Sequence, residues 1–232
     1  MLLSDLAWLK WRIVRYPSIR TKAELTELGV PEGFGSDVEP DSSVWLASLS
    51  EALGEVFQEG IRILDYGCGN ARYCNFLSER LANFTYYGIE PPGSSVSENA
   101  IMRASLAYGH KPYVKLGFIG DAVEQEALTN VNVVILGSIF THLLFDKFEE
   151  ICDKFRPVLA RGGRVVFSVF TDEHYRCQFP DNLYQHKGCY SAVWYTPEML
   201  KDYATKRVLL IQLKETFPAG AGHKIYCMTQ AS

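Results

Sequence analysis

The chain has 232 residues, 47% of them hydrophobic, with 27 acidic and 23 basic side chains that leave a formal charge of -4. That is ample apolar material for one α/β core, which excludes a disordered chain, and the mild acidity excludes a whole-surface attraction to nucleic acid. No apolar run approaches the roughly 20 residues that span a bilayer, and Asp5, Lys10 and Arg12 interrupt the opening segment, so neither a membrane span nor a signal peptide is expected. Six scattered cysteines, with Cys68 inside a glycine turn, suit a reducing cytoplasm better than a disulfide framework.

Ser4 is placed to cap a first helix whose Leu6, Leu9, Ile13 and Val14 share one side and which Pro17 stops. Thr21 and Glu24 have capping-box spacing for a second short helix, ended by Gly29 and Pro31. Residues 31–40, rich in Gly, Pro and acids, form a loop or hinge, and a third helix runs from about Ser43 to Gln58, closed by Gly60. These signals divide the chain into an N-terminal helical extension over 1–42 and a main domain over 43–232. Trp8, Trp11, Lys10, Arg12, Arg15, Tyr16 and Arg20 give the extension two open readings, a lid over a substrate or a packed outer helix with a solvated basic side.

From Ile61 the pattern alternates between strands and helices, the signature of a parallel sheet covered on both faces. Strands are expected at Ile61–Leu64 leading to Asp65, at Phe84–Ile89, Tyr113–Ile119, Val131–Leu136 and Arg164–Phe170, and at about Val208–Thr216 and His223–Thr229. A helix is expected over Asp146–Leu159, where Phe148, Ile151, Cys152 and Phe155 recur at helical spacing, with Gly162 and Gly163 ending it. Thr196 caps and Pro197 opens a further helix. Phe217–Gly222 is short enough to join the last two strands as an antiparallel hairpin. The expected fold is therefore α/β and Rossmann-like: a mostly parallel seven-stranded sheet, helices on both faces, and an antiparallel last strand.

The stretch IRILDYGCGNAR turns from a buried strand through Gly67 and Gly69 into a helix, which puts bare backbone and an acid at the carboxyl end of a strand, where a nucleoside-bearing cofactor can lie. Glu90 closes the second strand, twenty-one residues beyond Gly69, in position to accept bonds from both hydroxyls of a ribose. Asp121 closes the third strand in FIGDA, and Gly137–Ser138 follows the fourth in ILGSIFTHL. Strand-end acids also cap the next helix, and that alternative stays open for Asp121.

On these motifs the sequence resembles the class I S-adenosylmethionine-dependent methyltransferase superfamily from about Ile61 to the C-terminus. ILDYGCGNAR is similar to its first motif, YYGIE to its second, FIGDA to its third, and GSIFTHL with FRPVLARGGRVVFSVF to its fourth and fifth. The resemblance implies S-adenosylmethionine as cofactor, with Asp65, Gly67, Cys68 and Gly69 at its methionine end and Glu90 on its ribose. It also implies Asp121 and the Ala122 amide at the adenine, and Ser138 near the methionine amine or the transferred methyl. Ala71 departs from the glycine loop's third small position at modest cost. A nicotinamide-binding Rossmann protein would want a glycine where Arg72 stands, and a non-catalytic domain of the same fold serving as a binding partner is a further alternative.

Methyl transfer is an in-line displacement, so alignment and exclusion of water are most of the work. His142 is the candidate general base for a hydroxyl acceptor, its alternative being a histidine that packs beneath the cofactor or caps a helix. The segment from Thr171 to Tyr195, rich in aromatics, reads as a substrate-choosing loop. Its His174, Cys177, His186 and Cys189 have spacing that could hold zinc, with a solvated loop as the alternative, and no bound metal is expected. No Asp-Pro-Pro-Tyr or Asn-Pro-Pro-Tyr follows the fourth strand, which argues against methylation of a base amino group. The expected activity is methylation of a small-molecule or saccharide-type acceptor on oxygen, with neither nucleic acid nor membrane as partner.

Overall fold

The structure is a computed structural model, and it describes residues 60–78, 80–93, 95–178, 192–216 and 223–230. The three helices and the hinge expected before Gly60 lie outside the described residues.

Five parallel strands carry the fold: β1 (Ile61–Tyr66), β2 (Phe84–Glu90), β3 (Val114–Phe118), β4 (Val131–Leu136) and β5 (Leu159–Thr171). They run side by side in the order β3-β2-β1-β4-β5. The order reverses between β1 and β4, and this topological switch is where an open α/β sheet leaves a crevice beyond its carboxyl ends. Buried on both faces, β1 and β4 need near-continuous apolar side chains, which IRIL and VNVVIL supply.

Past β5 the sheet divides. Along Arg164–Phe170, β5 pairs antiparallel with β9 (His223–Gln230), which in turn carries β8 (Leu209–Thr216) antiparallel at the edge. At its tip, Phe170–Thr171 pairs parallel with β7 (Ala192–Tyr195), and β6 (Arg176–Gln178) pairs antiparallel with β7. The expected seven strands are present, and β6 and β7 are additional. They arise within the segment read as a loop because β5 outruns β4, leaving backbone groups at its tip that the alternating, strand-favouring Val193, Trp194 and Tyr195 satisfy.

Helices cover both faces. On one, α1 (Arg72–Ser78) and α2 (Ser95–Tyr108) pack Tyr73, Cys74, Leu77 and Ala104 against Ile63, Tyr86, Val133, Ile135 and Val166. On the other, α3 (Ala122–Ala127), α4 (Phe145–Phe155) and α5 (Pro197–Arg207) pack Ala127, Phe148, Phe155, Leu200 and Tyr203 against Leu64, Tyr87, Val134, Leu136 and Phe167. Phe148 meets both Phe140 and Phe167 edge to face, with ring centroids 4.7 and 5.4 Å apart, and fixes α4 over β4 and β5. Thr196 caps α5 as expected, its hydroxyl accepting from Met199 N–H at 3.2 Å.

One boundary is corrected. The helix expected to reach Leu159 and stop at Gly162 and Gly163 ends at Phe155, because Pro157 has no N–H for another α-helical bond, and a 3-10 turn over Arg156–Val158 leads straight into β5. The two glycines lie inside β5, where its register with β4 shifts between Val131 and Val133. A Cβ on Gly163 would sit 2.8 Å from the carbonyl oxygens of both Ala160 and Val131, so the irregular pairing itself requires glycine there.

Candidate cofactor and active site

Beyond Tyr66 the chain turns through Gly67 at φ +80° and Gly69 at φ +54°, conformations that glycine adopts without strain. The amides of Gly67 and Cys68 both donate to the Ile89 carbonyl, at 2.7 and 3.2 Å, tying the turn to the end of β2. A Cβ on Gly69 would meet nothing within 4 Å, so that side of the turn is open, whereas one on Gly67 would overlap the tip of Ile139. Ala71 sits at φ +57°, which for an L-residue costs about 1–2 kcal/mol, and its methyl is fully buried against α1.

Asp65 is fully buried on the α1 face, and its Oδ2 accepts the Tyr86 hydroxyl at 2.5 Å. Burial, and then the charge of Asp65, push the Tyr86 pKa well up, so the phenol keeps its proton and donates. Cys68 turns its sulfur inward against Gly88, and burial raises its thiol pKa. Asp65 and the Cys68 side chain therefore lie beneath the turn, and the part of Cys68 left to face a ligand is its backbone.

At the end of β2, Glu90 accepts the Gly69 N–H on Oε1 at 2.5 Å, and its carbonyl accepts the Ile119 N–H at 2.9 Å. Its carboxyl is pushed above the ordinary 4.5 by burial, against the bonds from Gly69 and Ser97 that favour the ionised form. Asp121 caps α3: Oδ1 accepts from Glu124 N–H at 2.9 Å and Oδ2 from Phe118 N–H at 2.8 Å. The capping alternative for Asp121 thus holds, and Ala122 opens the helix at the surface.

After β4, Ser138 takes φ +59°, donates its N–H to the buried Ser168 Oγ at 2.8 Å and accepts the Thr141 hydroxyl on its carbonyl at 2.8 Å. A Cβ on the preceding Gly137 would overlap the Tyr73 hydroxyl from α1. His142 is exposed on the turn that follows, three residues before α4, with its N–H on the Ile139 carbonyl at 3.2 Å. The ribbon of β6 and β7 is stitched to this turn: Val193 N–H donates to the Thr141 carbonyl at 2.8 Å, and the Tyr195 hydroxyl to the Leu143 carbonyl at 2.7 Å. On the ribbon the Arg176 guanidinium lies 4.1 Å over the Trp194 ring, which stacks on Phe170 at 5.5 Å, and Arg176 pairs with Asp172 at 2.8 Å.

Gly69 and Glu90 are thus joined directly, the Asp121 loop is tied to Glu90 through Ile119, and Ser138 with His142 stands at the neighbouring strand end. His174 is exposed and Cys177 half-buried on or beside β6, while His186 and Cys189 lie outside the described residues. Among the described residues no three His, Cys, Asp or Glu side chains come together as a metal site. A surface groove of about 330 Å³ lined by Arg156, Pro157, Arg207, Val208, Leu209 and Gln230 contains none of the candidate residues. Sequence reasoning missed Tyr86, Tyr73 and Ile139. Strand alternation in ILDYG and FTYYGIE held the signal for the first, since it puts Asp65 and Tyr86 on one face.

A doubly wound sheet whose glycine turn and strand-end carboxylate meet at the switch point defines a protein built to hold a nucleotide-like cofactor. Residues 41–207 match the Methyltransferase domain family, and the chain belongs to it. An uncharacterised methyltransferase of Bacillus cytotoxicus is 27% identical over 130 residues, a match covering 55% of this chain and 57% of that protein, so the aligned part spans little more than half of that relative. Among solved structures, the DhpI–SAH complex superposes with a TM-score of 0.56 at 18% identity, covering 99% of this chain and 97% of that one. An S-adenosylmethionine-dependent methyltransferase from Clostridium acetobutylicum gives a TM-score of 0.58 at 12% identity, covering 91% and 100%. The resemblance read from the motifs is borne out at the level of family and fold.

Proposed function

We propose that the protein transfers a methyl group from S-adenosylmethionine to an oxygen of a small-molecule or saccharide-type acceptor. The observation that carries this reading is the Glu90–Gly69 hydrogen bond, which sets a carboxylate against the open side of a glycine turn at the switch point of a methyltransferase-family fold. The donor set suits an adenosyl group: an acid for the ribose, a capped loop for the adenine, and bare backbone where the cofactor must approach closely.

When bound, the cofactor supplies a methyl group activated by a sulfonium sulfur. Glu90 accepts the ribose hydroxyls, and Asp121, with lone pairs left after capping, and the Ala122 amide address the adenine. Gly67, Gly69 and the Cys68 amide border the methionine end, with Asp65 anchored below by Tyr86. Ser138 holds the methionine amine or lies beside the transferred methyl. His142 takes the proton from the acceptor hydroxyl, and the ribbon bearing Trp194 and Arg176 lies on the acceptor side of the turn. The absence of an Asn-Pro-Pro-Tyr motif and the net charge of -4 favour a small acceptor over nucleic acid.

No helix among the described residues is long and apolar enough to cross a membrane. The five described cysteines are free, four of them buried, which favours a reducing cytoplasm as the site of action.

The test is calorimetry of the full chain with S-adenosylhomocysteine, followed by transfer of labelled methyl to a panel of hydroxyl-bearing metabolites and saccharides. Binding with transfer to a hydroxyl, lost in His142→Ala at unchanged cofactor affinity, supports the assignment. No binding at high ligand concentration would leave a non-catalytic domain of the same fold.

A further inference from the structure

The loop between β3 and α3 is held from outside by an ion pair between a buried carboxylate and a half-buried lysine. Glu124, in the first turn of α3, has its side chain almost wholly inaccessible, and its two oxygens do different work. Oε2 accepts the Gly120 N–H at 2.7 Å, in the middle of the loop, while Oε1 takes the Lys154 ammonium at 2.5 Å from the last turn of α4. Lys154 also reaches the Tyr66 hydroxyl at 3.3 Å and lies 5.1 Å from the centre of the Tyr66 ring, at the end of β1.

Gly120 stands at φ +93°, between Ile119, whose N–H is on the Glu90 carbonyl, and Asp121, whose carboxylate bonds Phe118 and Glu124. Every amide from Phe118 to Asp121 has an acceptor, that of Asp121 being the Phe118 carbonyl at 3.1 Å, and Gly120's is the one reached from another helix through a charge pair. With one oxygen on the Gly120 N–H and the other on the Lys154 ammonium, the Glu124 carboxylate is fixed at both ends, and removing either partner frees it to shift.

We infer that Glu124 and Lys154 are positioning residues: the Glu124–Lys154 pair fixes Gly120 and thereby sets where Asp121 and the Ala122 amide meet the adenine. This rests on the cofactor reading above. Because Lys154 belongs to α4, the helix that follows the turn carrying Ser138 and His142, the pair also ties the adenine end of the site to the methyl end through one rigid element.

The test compares Glu124→Ala, Glu124→Gln and Lys154→Met with the wild type, each well below its own thermal midpoint so that only folded molecules are titrated. S-adenosylhomocysteine and 5′-methylthioadenosine, which lacks the amino-acid portion, serve as probes. Glu124→Ala is expected to raise both dissociation constants by the same factor, about tenfold. Glu124→Gln, which keeps an oxygen for the Gly120 amide, recovers most of that loss, and Lys154→Met falls between them. A folded Glu124→Ala or Lys154→Met chain that binds both probes like the wild type overturns the inference, as does Glu124→Gln losing as much as Glu124→Ala. A wild-type chain that binds neither probe would instead remove the cofactor reading itself.

Discussion

Glu90→Gln is expected to stabilise the empty protein and to weaken its hold on the cofactor. Burial raises the Glu90 pKa above 4.5 despite the bonds from Gly69 and Ser97, so at neutral pH the ionised carboxylate is less favourable in the folded state than in the unfolded one. The folded state keeps this proton to higher pH than the unfolded state. Stability contributed by the protonated form is complete below 4.5 and is lost as pH rises through the folded value. Glutamine is nearly the same shape, keeps an oxygen for the Gly69 N–H at 2.5 Å, and carries no charge to desolvate. The variant's thermal midpoint should therefore exceed that of the wild type at pH 7, with the difference disappearing below pH about 4.

Binding should move the other way. A hydroxyl bonded to a charged acceptor contributes about 1.5–3 kcal/mol against about 0.5–1.5 for a neutral one, and the amide offers an N–H where a second ribose hydroxyl needs an acceptor. The expected loss of about 1.5–3 kcal/mol raises the dissociation constant of S-adenosylhomocysteine by about ten- to a hundredfold. Calorimetric titration and thermal melts across pH 4–8 read both effects on one preparation. Wild-type affinity in the variant would remove Glu90 from the ribose, and a midpoint at neutral pH no higher than that of the wild type would refute the desolvation argument.

Tyr86→Phe removes the donor to the fully buried Asp65 carboxylate and should cost about 2 kcal/mol in urea unfolding; a loss under about 0.5 kcal/mol would mean that Asp65 is satisfied without it. Gly137→Ala should cost about 1–3 kcal/mol, because its methyl overlaps the Tyr73 hydroxyl in a packed layer, and adding Tyr73→Phe should return much of that loss, as a double-mutant cycle would register. Asp153→Asn breaks a two-pronged pair with Arg207 at 2.6 and 2.7 Å. The half-exposed setting limits the cost to about 1 kcal/mol. The Arg207 bonds hold the Asp153 pKa below 3.8, so this stabilisation is present above pH 3.8 and fades as pH falls below it, and melts of wild type and variant should converge in that acid range.

The sequence by itself determined the parallel strands, the glycine turn and the carboxylate that ends β2, whereas Asp121, expected to close the third strand, lies three residues beyond β3 and caps α3. Those features are written in consecutive residues: a run of apolar side chains long enough for a strand, a glycine where φ must be positive, an acid at a boundary. The family motifs added the expected roles of Asp65, Glu90, Asp121 and Ser138, and Methyltransferase-family membership followed. Only the tertiary structure decided which groups meet. Gly69 and Glu90 are 21 residues apart, as are Asp65 and Tyr86, while Ser138 and Ser168, and Glu124 and Lys154, are each 30 apart. Strand order and helix packing set such pairings, and a local pattern carries no record of them. The same holds for β6 and β7, which form because the tip of β5 extends past β4 and leaves backbone to be paired, and for Gly163, whose need for no side chain comes from two carbonyls brought against it by the β4–β5 register.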